Sequence, residues 1–439
     1  MKDVNQCVIG GGWAGLLVAR KLMQSGARDI TVIEASKRNE LGGLLKSVVI
    51  DGFTFDSGGP HLLFSRNERI LSDITGFLKP NLIKMIRNNF VHYKGKFIPY
   101  PFENGIYQLD AEERVRIITG IIQRMLFNAQ NEDWVPHHFL DWMTGFFGDE
   151  MANEYLIPYN KKIWKRPLDK IAVDWVFTPG RLPFPELENM LLTVAGIPNI
   201  GYKEQLYFYY PKIGGIASLY NALLDEISLN GTKIVTDEKI VSVKINPDKT
   251  FTVNNKIKAN KLISTIPLPE LLMSLEDGNN YKELARKFDY NNVIVIGIAI
   301  RGKTPTQTTV YVPNPNIVFH RYTWMSALVP PENPDCSNLI AEITVPKDKI
   351  VDLRNIERKV IKGLLDLKVI NDENSILFTQ IWFNKYGYPI YSLDHNEIRE
   401  KAMRIFAKHN IKSVGRWGSW QYWNTDMVYK GVEELNLFK

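Results

Sequence analysis

A run of glycines set between a short strand and a helix limits this chain more than any other feature. Residues 4–9 (VNQCVI) read as an apolar strand that ends in Gly10-Gly11-Gly12. Residues 13–25 then carry helical spacing, with Leu16, Leu17, Ala19, Leu22 and Met23 as an apolar stripe and Gly26 as the stop. Ile30-Thr31-Val32-Ile33 supplies a second strand, which completes a βαβ unit and implies a parallel sheet. Within it, Gly10, Gly12 and Gly15 satisfy G-x-G-x-x-G. The first permits the tight turn, the second lets backbone approach a pyrophosphate, and the third lets helix and strand pack closely. An anion then sits at the helix N-terminus, where unpaired N–H groups and the dipole favour it. Glu34 ends the second strand, nineteen residues after Gly15. A carboxylate there accepts hydrogen bonds from an adenosine ribose and repels a 2′-phosphate. A coincidental turn with a surface glutamate is the competing reading, and the strand–turn–helix context opposes it.

The remaining 405 of 439 residues leave room for two or three domains around a shared core. With 45% hydrophobic and 23% charged residues, the composition is that of a globular protein, and no apolar run is long enough for a transmembrane segment. The amino terminus enters a strand at once, so no signal peptide is expected. Cys7 and Cys336 are far apart in unlike contexts and read as free thiols of a reducing, cytoplasmic setting. A net charge of +6 without a dense Lys/Arg stripe argues against nucleic acid, though it suits an anionic small molecule. No metal ligands are assigned.

Along the chain, helical segments rich in aromatics (112–125 and 138–147) follow the first unit, then a strand at 206–210 and a helix opened by Gly214-Gly215. Strands at 233–236, 239–245, 250–253 and 261–266 return to the first sheet. Strand-like runs at 293–300, 310–312, 339–345 and 376–382 suggest a second, mainly antiparallel sheet, and the tail ends in a helix. The fold class expected is α/β, with a Rossmann domain (1–85, 205–268 and 405–439) interleaved with a helical domain (105–204) and an antiparallel sheet domain (86–104 and 269–404).

After Glu34 come Gly42-Gly43, a hairpin-like segment from Lys46 to Phe55, and Asp56-Ser57-Gly58-Gly59. This order resembles the extended fingerprint of glutathione-reductase-type flavoproteins, which implies FAD rather than NAD. The amine-oxidase and protoporphyrinogen-oxidase branch continues Gly-Gly-Arg, whereas position 44 here is Leu. Gly42-Gly43-Leu44 followed by Gly59-Pro60-His61-Leu62-Leu63-Phe64 resembles the start of the UDP-galactopyranose mutases. Five further segments resemble that family in order: Pro99-Tyr100-Pro101-Phe102-Glu103-Asn104, Tyr159-Asn160-x-Lys162-Ile163-Trp164, Phe319-His320-Arg321-Tyr322-Thr323, Tyr386-Gly387-Tyr388-Pro389 and Gly415-Arg416-Trp417-Gly418-Ser419-Trp420-Gln421-Tyr422.

The resemblance implies cofactor contacts at Gly10, Gly12, Gly15, Glu34, Gly42, Gly43, Leu44, Gly59, His61, Val241, Arg416 and Gly431, with Gly431 letting the final helix start approach the flavin. It implies substrate contacts at Tyr100, Phe102, Glu103, Arg181, Tyr311, Arg321, Tyr388, Tyr422 and Asn424, with His61, Arg321 and Arg181 catalytic. Bottom-up, a sugar nucleotide needs an aromatic slot for its base and guanidinium forks for its diphosphate. Glu103 stands where the family carries Gln, and a carboxylate accepts from a uracil N3–H but cannot donate to a carbonyl. Arg181 sits two residues out of the family spacing. The function implied is pyranose–furanose interconversion of a nucleotide sugar by attack of reduced-flavin N5 on the anomeric carbon, with an unidentified reductant keeping FAD reduced. An amine-oxidase or protoporphyrinogen-oxidase-like oxidoreductase is the second reading, disfavoured by Leu44 and the Arg/Tyr set. A non-catalytic flavin-binding partner is the third.

Overall fold

The computed structural model describes residues 2–177, 186–198 and 206–437. Strand β1 (Lys2–Ile9), helix α1 (Trp13–Gln24) and strand β2 (Ile30–Ile33) form the expected βαβ unit. β1 lies inside a sheet of seven strands, parallel to β2 on one side and to Ile257–Ser264 on the other. A strand covered on both faces must be apolar throughout, and Cys7, Val8 and Ile9 are all wholly buried. α1 buries Leu16, Leu17, Val18, Ala19 and Leu22 against this sheet. Each Leu or Val so buried contributes about 1.5–3 kcal/mol relative to exposure.

The second sheet also has seven strands, in the order Ile376–Pro389, Tyr290–Arg301, Cys336–Pro346, Arg321–Trp324, Thr309–Tyr311, Phe90–Tyr93 and Lys96–Pro99. All its pairings are antiparallel except that between Thr309–Tyr311 and Phe90–Tyr93. Helices Ala111–Gln130 and Phe139–Met151 pack together nearby, with Phe139, Trp142 and Trp164 buried at their base. The architecture is therefore α/β, a Rossmann sheet joined to an antiparallel sheet and a helical layer.

Local differences from the sequence reading have physical causes. The expected strand 239–245 is a strand only over Val243–Ile245. Upstream, the N–H groups of Val241 and Ser242 both donate to Asn254 Oδ1, which removes them from a ladder. Strand Lys96–Pro99 does not continue through Tyr100 and Phe102. Pro99 and Pro101 lack N–H donors, and the chain turns into a short helix at Phe102–Gly105. Four helices, Leu268–Ser274, Lys282–Lys287, Leu353–Asp366 and His395–Lys408, stand among the described residues of the region read as mainly sheet.

Both cysteines are free and buried, Cys7 in the parallel sheet and Cys336 at the start of a strand in the other. Burial pushes the Cys7 thiol up to about 12, so it is unreactive in the native state. Denaturation without reductant should release two titratable thiols, and native protein should react with a thiol reagent far more slowly. Fewer than two thiols after denaturation would contradict this placement.

Candidate active site

One cleft of 720 Å³ runs from the turn after β1 to the antiparallel sheet. Its first end is built by the glycine turn. A side chain at Gly15 would place its Cβ 1.8 Å from the Gly10 carbonyl oxygen, so only glycine lets α1 cross β1 this closely. A Cβ at Gly12 would meet no atom within 4 Å, because that position faces the open cleft. The α1 N-terminus therefore points its N–H groups into the cavity, with no acidic residue in its first turn to occupy them. Glu34, at the end of β2, is fixed by the N–H groups of Gly11 (2.6 Å to Oε2) and Ser36 (2.9 Å to Oε1). Each of its oxygens keeps a lone pair for a further donor.

The middle of the cleft is lined by Gly42, Gly43, Leu44, Gly59 and His61. Gly59 adopts a φ of +91°, and a Cβ there would stand 3.1 Å from Glu342 Oε2. His61 is oriented by a 2.8 Å hydrogen bond from Nδ1 to the Gly59 carbonyl. A carbonyl only accepts, so Nδ1 carries a proton. Just outside the cleft, Asp56 accepts from Tyr210 Oη (2.5 Å), Ser47 Oγ (2.7 Å) and the Ile216 N–H (3.2 Å). Burial pushes its carboxyl up to about 6 against those donors.

At the far end, Arg321 and Glu342 face each other across neighbouring antiparallel strands. The pair is bidentate, with Nε to Oε1 at 2.5 Å and Nη2 to Oε2 at 2.8 Å. Glu342 is only 2% exposed and Arg321 25% exposed in their side chains. Burial alone works against the guanidinium charge, yet Glu342 holds Arg321 well above the ordinary arginine range. Tyr100 and Tyr311 stack beside it with centroids 4.6 Å apart. Tyr388, Tyr422 and Asn424 complete the wall. Arg416 lines the cleft too, but donates to the carbonyls of Gly387 (2.7 Å) and Trp423 (3.0 Å) and lies 4.4 Å over the Tyr422 ring. It thus ties three wall segments together.

Several expected contacts are not on the cleft wall. Phe102 is wholly buried, stacked on Tyr155 at 4.7 Å, and Glu103 is buried on the same short helix. Val241 is 68% exposed, and its neighbour Ile240 lines the cleft instead. Gly431 lies well inside the final helix, Thr425–Glu434, where a Cβ would strike the Trp423 ring at 2.5 Å. Thr425 and Val428 are the residues of that helix that reach the cavity. Arg181 lies outside the described residues. Lys162 serves the wall from behind, its ammonium donating to the Val312 and Asn314 carbonyls, while burial lowers it to about 7. Sequence reading missed Glu342, Arg87, Asn89 and Lys46, all of which line the cleft. For Glu342 a signal existed, since it is the one charged residue in the strand-like run Leu339–Val345.

Glu342→Ala should leave the Arg321 cation uncompensated and cost about 3 kcal/mol, the low end for breaking a buried pair because Arg321 is partly exposed. Replacing both partners, as Arg321→Met with Glu342→Leu, should recover most of that loss. Urea midpoints read both effects, and an unchanged midpoint in Glu342→Ala would show that the pair is not desolvated.

A match to the flavin containing amine oxidoreductases spans residues 13–409. Among solved structures, reduced UDP-galactopyranose mutase is similar at 26% identity, with a TM-score of 0.86, over 98% of this chain and 92% of that one. A CLA-producing fatty acid isomerase from P. acnes (15% identity, TM-score 0.67, 99% and 98% covered) and a redesigned putrescine oxidase (14%, 0.63, 98% and 97%) share the fold. The glycine turn, the open cleft beside it and these likenesses lead to one conclusion: the chain belongs to the flavin containing amine oxidoreductase family, as a member that resembles UDP-galactopyranose mutase.

Proposed function

We propose that this protein is an FAD-dependent mutase that interconverts the pyranose and furanose forms of a nucleotide sugar. The observation that carries the reading is the far end of the cleft, where a paired arginine is ringed by phenols. Such a group of donors suits a diphosphate and has no task toward an amine. The glycine turn, the α1 N-terminus and Glu34 suit the pyrophosphate and adenosine ribose of FAD. Reduced FAD, when bound, supplies a nucleophile at N5 for the anomeric carbon, with no net redox change in the sugar.

The chain's own residues then bind and position. Arg321 gives two of its five N–H donors to Glu342, and its remaining edge, Nη1 and the second Nη2 hydrogen, addresses phosphate oxygens. Glu342 holds that edge in one orientation, so little rotamer freedom is lost on binding. Tyr311, Tyr388 and Tyr422 add phenol donors, which stabilise charge on the departing diphosphate. Tyr100, stacked on Tyr311, offers a face to the base. His61, oriented through Nδ1 by the Gly59 carbonyl, lines the middle of the cleft. Arg181 is proposed as a second diphosphate cation from the sequence resemblance alone.

Glu34→Ala should weaken FAD binding by about 1–3 kcal/mol, the cost of losing a charge-assisted hydrogen bond to ribose, as read by the dissociation constant of reconstituted protein. An apoprotein that cannot be reconstituted with FAD would remove the flavoprotein reading altogether. Arg321→Lys should lose roughly 10- to 100-fold in catalytic efficiency, at about 1.4 kcal/mol per decade, and Arg321→Ala more, with FAD content unchanged. The assay is furanose–pyranose exchange of UDP-galactose and other sugar nucleotides, with dithionite-reduced and oxidised protein. Equal rates in the two redox states would exclude the flavin chemistry. Turnover of an amine or porphyrinogen by oxidised protein, without sugar-nucleotide binding, would favour the oxidoreductase reading.

A further inference from the structure

Between the glycine turn and the second glycine pair stands a cation that nothing above employs. Lys46 lines the cleft and is half-buried. Its stem runs along Gly42, so closely that a Cβ on that glycine would stand 2.9 Å from Lys46 Cγ. Gly43, next in the chain, faces the turn itself, where a Cβ would stand 3.5 Å from Gly12 Cα. Lys46 is therefore anchored beside the segment that meets the phosphate-binding turn. Its backbone is held as well, since the Lys46 carbonyl accepts from the Ser57 N–H at 3.0 Å.

A half-buried ammonium ordinarily has a partner. Among the described residues, no carboxylate lies within 4 Å of this one, and no hydrogen bond from it is formed. Glu34 and Glu40 act on it only at longer range, and burial outweighs them, holding the ammonium below the usual lysine range. Glu34 is already committed to the Gly11 and Ser36 N–H groups. The site thus holds a desolvated cation without a matched anion, in a cavity that is also lined by the start of α1.

We propose that Lys46 is a phosphate-binding residue for the dinucleotide, closing from the Gly42-Gly43 side a diphosphate site that the α1 N-terminus forms from the other. This rests on the FAD reading above and adds a charge to it. α1 supplies N–H groups and about half a positive charge, which leaves most of a pyrophosphate's charge uncompensated. A compact ammonium on a flexible stem reaches an oxygen of either phosphate. Leu44 and Leu45 carry no charge, so Lys46 is the first cation after Arg38 able to do this from the second glycine pair.

The test compares a flavin that carries the diphosphate with one that lacks the ADP portion. Apoprotein is titrated with FAD and with riboflavin, following quenching of flavin fluorescence, for wild type, Lys46→Met and Lys46→Arg. Lys46→Met should bind FAD about 10- to 100-fold more weakly, the range for a charged hydrogen bond, and its FAD affinity should depend less on salt. Riboflavin affinity should not change, and Lys46→Arg should retain most of the FAD affinity. Thermal melts of the apoproteins check that folding is unaltered. Equal FAD affinity in wild type and Lys46→Met would overturn the proposal, as would an equal loss for riboflavin, which would indicate a packing role. Wild-type protein that fails to bind FAD at all would instead overturn the FAD reading.

Discussion

The crossing of α1 over β1 at Gly15 is the constraint on which the rest of the molecule depends. With a Cβ, Gly15 would collide with the Gly10 carbonyl, and the helix would have to lift from the sheet. That displacement would move the α1 N-terminus away from the cleft, together with the N–H groups that make it an anion site. It would also loosen the packing of Leu16, Ala19 and Leu22, which are among the most deeply buried residues of the core. Close packing and the exposure of the helix N-terminus to the cleft are thus one geometric requirement, met by one missing methyl group.

A second set of contacts joins that Rossmann unit to the antiparallel sheet. Asp56 gathers Ser47, Tyr210 and the Ile216 N–H, so three separated segments share one buried carboxyl. The loop that follows it runs through Gly59 against Glu342 and through the Ser57 carbonyl, which accepts from Asn384 Nδ2 at 2.7 Å. Glu342 in turn holds Arg321. The glycine-turn end and the Arg321 end of the cleft are consequently fixed relative to each other by short polar contacts rather than by apolar packing alone. Such contacts give orientation at little gain in stability. Orientation is what a reaction between two bound molecules needs.

Features confined to a short stretch of chain were legible in the sequence. The glycine turn, Glu34, the second glycine pair and Arg321 all announce themselves by residue type and spacing, and each lines the cleft or shapes it. What depends on strand pairing was not legible. Glu342 becomes a partner of Arg321 only because two strands pair in one register, twenty-one residues apart in sequence. Phe102 and Glu103 were also placed by resemblance, and they fold away from the cleft on a short helix. Val241 and Gly431 were each placed by resemblance, one residue and about one turn from positions that reach the cavity. Helix Leu353–Asp366 shows its period in Val360 and Leu364, but strand-like runs on either side masked it.

The central claim is that a flavin and a nucleoside diphosphate occupy adjoining parts of one cleft. Titrating FAD-loaded protein with UDP while recording the flavin absorbance tests this most directly. A saturable spectral change, present in wild type and lost in Arg321→Ala at equal FAD content, is expected. A flavin spectrum that stays unchanged at saturating UDP, with no binding by calorimetry, would contradict it.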